Sequence, residues 1–349
     1  MSTTDDVLFE KMLGVSGALG VITLNRHKAF NALTYAMIQS ISHQLDRWAI
    51  DEEVKAILIQ SHHEKAFCAG GDILYVYKAK QNGERVKDIF EIEYQLNQKI
   101  YEYPKPYIAF LNGITMGGGV GISIHGSLRV GTEKLLWAMP ETGIGFFPDI
   151  GGSYFLPRCQ KQIGIYLGLT GARLKIANAV GVGLVDYYIP SEQLESVKQD
   201  FLKTPLDFGN KKVVSDILQN YAAQTEEADL FSFANIIEEI FSSFHVEEIF
   251  EKLLTKQDTF CQDTLRSLKT KSPTSLKVTR QQLYRGIDQS MADCMKMENV
   301  IAEHFLQSHD FFEGIRAIIV DKDQAPHWKP ATLEEVSDKA IKAFFIKSR

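Results

Sequence analysis

Ile114-Thr115-Met116-Gly117-Gly118-Gly119-Val120-Gly121-Ile122-Ser123-Ile124-His125-Gly126 is the stretch on which the fold of this chain turns. Directly before it, Tyr107-Ile108-Ala109-Phe110-Leu111 is a short apolar run of the kind that forms a buried strand, and after the glycines Ile122 and Ile124 begin apolar turns. The glycines therefore mark a strand-to-helix junction. The first N–H groups of a helix have no intrahelical acceptor, and glycine lets another group approach them, so such a junction can hold an oxyanion. Taken alone, a glycine cluster is better read as a tight turn with close packing.

Two further stretches change that balance. Upstream, Phe67-Cys68-Ala69-Gly70-Gly71-Asp72 is a second glycine turn that can supply a facing N–H. Downstream, Met139-Pro140-Glu141-Thr142-Gly143-Ile144-Gly145-Phe146-Phe147-Pro148-Asp149-Ile150-Gly151-Gly152 carries two carboxylates in a segment too rich in Gly and Pro for a continuous helix. N–H donors beside a loop of acids make a chemical constellation.

Outward from these blocks the chain alternates strands and helices, which makes it α/β. Leu19 to Leu24 and Ala56 to Gln60 read as strands, and Thr34 to Ile50 as an amphipathic helix with Met37, Ile38, Ile41, Leu45 and Trp48 on one face. Ile73 to Tyr103 reads as mostly helical, interrupted near Asn82-Gly83 and ended by Pro104 and Pro106. Short strands are expected near Leu128 to Val130 and Leu135 to Ala138. Ser191 to Lys271 reads as amphipathic helices. The expected organisation is a core over 1–190 and a helical C-terminal region over 191–349 packed on it.

At 349 residues, 45% apolar and 23% charged, the composition is that of an ordinary globular protein. The net charge of −6 argues against nucleic-acid or anionic-membrane binding, which need a basic face. Cys68, Cys159, Cys261 and Cys294 show no paired spacing, so neither a metal site nor a disulfide framework is expected. Met1 to Lys11 is acidic and lacks an apolar or Arg-rich run, and no stretch approaches a membrane-spanning length, so a cytoplasmic location is expected.

The blocks Phe67 to Asp72, Ile114 to Gly126 and Met139 to Arg158 resemble the crotonase (enoyl-CoA hydratase/isomerase) superfamily. Ser272 to Lys277, His309 to Ala317 and Asp321 to Gln324 are similar to its 3-hydroxyisobutyryl-CoA hydrolase group in particular. The resemblance implies a crotonase-like spiral of strand-strand-helix turns, with the thioester carbonyl of an acyl-CoA held by the N–H groups of Gly71 and Gly118. It places coenzyme A against Arg26, Lys28, Ala29, Ala69 and Asp72, and brings Glu93 into the substrate site. The first of two hydratase glutamates matches Gly121, which puts simple hydration in doubt, whereas the second matches Glu141. The hydrolase group adds an aspartate that matches Asp149.

Glu141 is then expected to attack the thioester or to activate water, and Asp149 to bind a β-hydroxyl, with a helix cap at Gly151-Gly152 as the plainer role for Asp149. The implied activity is hydrolysis of a short β-hydroxyacyl-CoA, as in valine breakdown. Coenzyme A is part of the substrate and no separate cofactor is required. Two alternatives stand beside it: another crotonase-type enzyme, such as an isomerase or specialised hydratase, and a non-catalytic structural subunit. Self-association is left open.

Overall fold

The computed structural model describes residues 6–83, 87–205 and 211–347. The chain forms two compact units, each assembled from three stretches: Met1–Gly71, Gln95–Trp137 and Leu174–Ala228 in one, Asp72–Tyr94, Ala138–Arg173 and Asp229–Arg349 in the other. The units interleave along the chain, whereas the sequence reading divides it once, after residue 190.

The first unit is organised by its strands. β1 (Val7–Gly14) and β2 (Gly17–Leu24) form an antiparallel hairpin turned at Val15-Ser16, after which Gly17 takes φ +139°. They are followed by β3 (Val54–Ser61), β4 (Ala66–Cys68), β5 (Tyr107–Leu111), β6 (Ile114–Met116), β7 (Leu128–Gly131), β8 (Leu136–Ala138) and β9 (Tyr187–Tyr188). The main sheet runs β1-β2-β3-β5-β7-β9 and the small one β4-β6-β8. From β2 onward the main sheet is parallel, so each neighbouring pair needs a crossover. Helix α1 (Tyr35–Ile50) lies between β2 and β3, α2 (Ile73–Gln81) of the second unit and α3 (Lys87–Tyr101) between β3 and β5, and α4 (Gly118–Ile124) between β5 and β7. The chain from β7 to β9 runs through residues 138–173 of the second unit and the helix Ile176–Gly181. After β3, β5 and β7 the chain enters a short strand of the small sheet before going on, which is the strand-strand-helix repeat expected of a crotonase spiral.

Strands buried on both faces read as continuous apolar runs, and that is how β2, β3 and β5 are written. Leu19, Val21, Ala56, Leu58, Ile108, Phe110 and Val130 pack one face against Val197, Phe201, Val214, Ile217 and Leu218 of later helices. On β2, a Cβ at Gly20 would come within 2.8 Å of the Trp48 ring on α1, so the strand approaches that helix closely only because Gly20 has no side chain. Each such buried aliphatic side chain contributes roughly 1.5–3 kcal/mol. β1 carries no equivalent signal, since its burial is partial and uneven along an edge strand.

The second unit is chiefly helical. Asp258, Ser272 and Ser290 each cap a helix by accepting from a backbone N–H three residues on, at 2.9, 3.1 and 3.2 Å. The helices Pro273–Gly286, Met291–Phe305 and His309–Ile315 surround the acid-bearing loop of this same unit. Phe146 stacks 4.6 Å from both Phe147 and Phe311 and 5.4 Å from Phe305 in an aromatic cluster. Among the described residues no helix is long and apolar enough to cross a membrane.

Candidate active site

In the first unit the two glycine turns meet. Gly118 opens α4, so its N–H is the first of the helix and lacks an intrahelical acceptor. Gly117, the N-cap, has φ +47° and ψ −123°, and Gly70 has φ +119°, conformations that glycine adopts without penalty. A Cβ on Gly70 would lie 3.9 Å from the Gly118 nitrogen, which puts the Gly70-Gly71 turn beside the helix start. Close packing contributes as well: a Cβ on Gly119 would stand 2.3 Å from the carbonyl oxygen of Cys68.

The loop before α1 holds the first turn in place. Leu33 N–H donates to Gly70 O at 2.8 Å and Ala69 N–H to Phe30 O at 3.0 Å. Asn31 is fully buried, and its amide donates to Ser61 Oγ at 2.7 Å and Phe67 O at 2.9 Å. The Cys68 thiol donates to Asn31 O at 3.1 Å.

The residues expected to contact coenzyme A fall on these segments in different states. Lys28 and Ala69 are exposed, while Ala29 is half-buried. Arg26 folds back: its Nη1 donates to Ala32 O at 2.9 Å and its Nε lies 3.8 Å from Asp6 Oδ2, so the guanidinium braces the loop. Asp72 opens the second unit and caps α2, accepting from Tyr75 N–H at 3.0 Å.

The acids gather in the second unit. Glu93 from α3, with Glu141 and Asp149 from the loop, are each only 5–6% exposed. Tyr94 Oη donates to Asp149 Oδ2 at 2.8 Å. Among the described residues, Glu141 Oε2 and Glu93 Oε1 are buried without a hydrogen-bond partner. Burial raises all three acids, since desolvation penalises the charged form. The Asp149 charge adds to the rise at Glu93, which reaches about 8, and at Glu141, which stands well above its ordinary value. Asp149 is pushed up to about 7, with the Tyr94 hydroxyl pulling the other way. Buried carboxylates of one sign with unused lone pairs are characteristic of a proton-handling site.

The plainer role for Asp149 does not match the geometry. The four-residue helix α5 (Gly152–Phe155) has Gly151 as its N-cap, with no side-chain cap bond. Glu93 likewise departs from the solvated helical acid that pattern alone favours, for it lies in the buried stripe of Phe90, Tyr94, Asn97 and Ile100.

The C-terminal motifs serve as a lock. Ser272 Oγ donates to Asp310 Oδ2 at 2.6 Å, and Lys329 N–H donates to Asp310 Oδ1 at 2.8 Å. Arg316 pairs with Glu313 at 2.8 Å and with Asp321 and Asp323 at 2.6 Å. Helix glycines let the acid loop press close: a Cβ on Gly286 would stand 1.9 Å from Ser153 O, and one on Gly314 2.2 Å from Ile144 O. Two residues that the sequence reading passed over are Tyr94 and Glu298. Glu298 is fully buried and accepts from Gly151 N–H at 2.7 Å and Ser153 N–H at 2.9 Å.

A family model described as enoyl-CoA hydratase/isomerase matches residues 19–345. Proteins named "3-hydroxyisobutyryl-CoA hydrolase, mitochondrial" are similar along almost the whole chain. The one from Danio rerio is 45% identical, covering 97% of this chain and 89% of its own length, and the one from Homo sapiens 42% identical, covering 99% and 90%. Among solved structures, a carnitinyl-CoA dehydratase from Mycobacterium thermoresistibile superposes with a TM-score of 0.90 at 35% identity, covering 99% of this chain and 97% of that one. An enoyl-CoA hydratase from Rhodobacter sphaeroides gives 0.89 at 32% identity, covering 98% of each chain.

Proposed function

The chain belongs to the enoyl-CoA hydratase/isomerase family, and on that premise we propose that it hydrolyses a short β-hydroxyacyl-CoA thioester, 3-hydroxyisobutyryl-CoA foremost, to the free hydroxy acid and coenzyme A. On this reading it acts in valine catabolism. The observation that carries the proposal is the asymmetry of its acids. Glu141 is a buried carboxylate with an unpartnered oxygen, whereas Gly121, where hydratases of the family carry their other acid, has no side chain at all.

The N–H groups of Gly71 and Gly118 take the thioester oxygen and stabilise the negative charge that develops on it. The Glu141 carboxylate then acts by one of two routes to the same products. It adds to the thioester carbon and expels the coenzyme A thiolate, leaving a mixed anhydride that water opens. Alternatively it removes a proton from the water that adds. Either route consumes one water, and no electron or group carrier beyond the coenzyme A of the substrate is involved. Either also needs Glu141 ionised at the moment of attack.

Asp149 receives the β-hydroxyl, and Glu93 lines the acyl site beside it. Lys28 and Ala69 contribute to binding coenzyme A, with Arg26 shaping the loop that carries Lys28. The test is release of free thiol from 3-hydroxyisobutyryl-CoA, beside acetyl-CoA and crotonyl-CoA as comparison substrates. Rapid release from the first and slow release from the others supports the assignment, and equal rates on all three count against it.

A further inference from the structure

Glu298 is a carboxylate with 0% exposure on the helix Met291–Phe305, and among the described residues no cation pairs with it. Burying a carboxyl group is costly unless its oxygens are hydrogen-bonded. Here all its bonds go to one short stretch. One oxygen accepts from Gly151 N–H, and the other from Ser153 N–H and from the Ser153 hydroxyl.

That stretch follows Asp149 directly, and its backbone is strained at Ile150. Ile150 has φ +52° and Gly151 φ +86°. A β-branched residue in the left-handed region is a true outlier, and it survives only when its surroundings over-determine it. Of the two backbone donors that Glu298 engages, Gly151 belongs to this turn and Ser153 lies two residues beyond it, while the Tyr94 hydroxyl holds the Asp149 carboxylate itself.

We propose that Glu298 is a positioning residue for the reaction: by accepting from Gly151 and Ser153 it locks the Ile150-Gly151 turn and thereby fixes where the Asp149 carboxylate stands. Glu298 touches no substrate and acts through the turn. A carboxylate is suited to the task because both oxygens accept, whereas the amide nitrogen of a glutamine would meet a backbone N–H donor to donor. The proposal rests on the reading that Asp149 binds the substrate hydroxyl.

The test is a double-mutant cycle read as selectivity, the ratio of kcat/KM for 3-hydroxyisobutyryl-CoA to that for isobutyryl-CoA. It is measured in wild type, Glu298→Gln, Asp149→Asn and the double variant. Glu298→Gln should lower the ratio by roughly ten- to a hundredfold, the cost of misplacing a substrate-binding group. The double variant should show the same ratio as Asp149→Asn alone, because a turn with no hydroxyl reader to aim has nothing further to lose. If Asp149→Asn lowers the ratio and Glu298→Gln leaves it unchanged, or if the two losses multiply, Glu298 does not act through Asp149 and the proposal is overturned. If Asp149→Asn leaves the ratio unchanged, the hydroxyl reading fails, and the proposal with it. Should Glu298→Gln fail to fold, Ser153→Ala removes only the hydroxyl donor. It should lower the ratio in the same sense by a smaller factor, and an unchanged ratio there overturns the proposal.

Discussion

The glycine turns of the first unit and the acid cluster of the second handle charge by opposite means. Around Gly70, Gly71 and Gly118 the useful groups are backbone N–H dipoles, fixed by Asn31, by the Phe30–Ala69 and Leu33–Gly70 hydrogen bonds, and by the start of α4. They carry no net charge and do not titrate. Around Glu93, Glu141 and Asp149 the useful groups are side chains that burial strips of water, with the Asp149 charge adding to the effect at Glu93 and Glu141, so each holds its proton more tightly than in water. One region is an electrostatic fixture, and the other is a store of protons whose filling depends on pH.

The largest expected effect lies in the acid cluster. Glu141→Gln keeps the shape of the side chain and removes its ability to attack or to take a proton, so turnover should fall roughly 10²–10⁴-fold. Coenzyme A binding, followed by isothermal titration, should stay close to wild type.

Next comes Gly118→Pro, which deletes one N–H. Because Gly118 is the first helical residue of α4, a position where proline is tolerated, the helix should survive, and circular dichroism checks that it does. Loss of one oxyanion donor costs on the order of 3 kcal/mol, or about a hundredfold in kcat. A folded variant with full activity would mean that the oxyanion is held elsewhere.

Asp149→Asn sharpens the comparison within the acids. An unpaired buried polar partner costs about 1–3 kcal/mol, so preference for the hydroxylated thioester over isobutyryl-CoA should fall roughly ten- to a hundredfold.

The pH profile separates the two regions directly. Glu141 must be ionised to act, and burial with the Asp149 charge holds its proton on, so kcat/KM should rise with pH above the range in which an ordinary glutamate is already ionised. Asp149→Asn removes that charge and should move the rising limb to lower pH. Gly118→Pro should scale the whole profile down and leave its midpoint in place. A shifted midpoint in Gly118→Pro would break the distinction drawn between dipoles and protons.

Stability should carry a smaller signature. Glu93 and Glu298 rise from 4.5 to about 8, and Asp149 from 3.8 to about 7. Each therefore binds its proton more tightly folded than unfolded, so between these limits the folded state holds more protons and stability falls as pH rises. Thermal melts from pH 5 to pH 8.5 should show Tm decreasing, with a shallower slope in Glu298→Gln than in wild type.

Much of the first region was legible in the sequence because its physics is local. Consecutive glycines between an apolar strand and a helix announce a backbone that must be approached closely, and the junction lies where Tyr107 to Ile124 placed it. The strands β2, β3 and β5 declared themselves by unbroken apolar runs, whereas β1 did not, since an edge strand needs only partial burial.

The acid cluster was half legible. Glu141 and Asp149 stood out in a Gly- and Pro-rich loop, yet the partners that hold them come from distant helices, and spacing along the chain does not reveal which helix meets which loop. A signal for Glu298 was nonetheless present. It occupies the middle of the stripe Met291, Cys294, Met295, Ile301, Ala302 and Phe305, an acid where the helical period calls for an apolar residue. Glu93 interrupts the stripe of α3 in the same way. An acid on the apolar face of an amphipathic helix is the pattern that would have found both.

The most direct test of the central claim sets two reactions side by side on one preparation of the purified protein: thiol release from 3-hydroxyisobutyryl-CoA, and hydration of crotonyl-CoA followed by loss of the enoyl absorbance. Glu141 alone, with Gly121 in place of a second acid, predicts rapid thiol release that Glu141→Gln abolishes, together with hydration no faster than background. Hydration at an enzyme-like rate without thiol release would contradict the account.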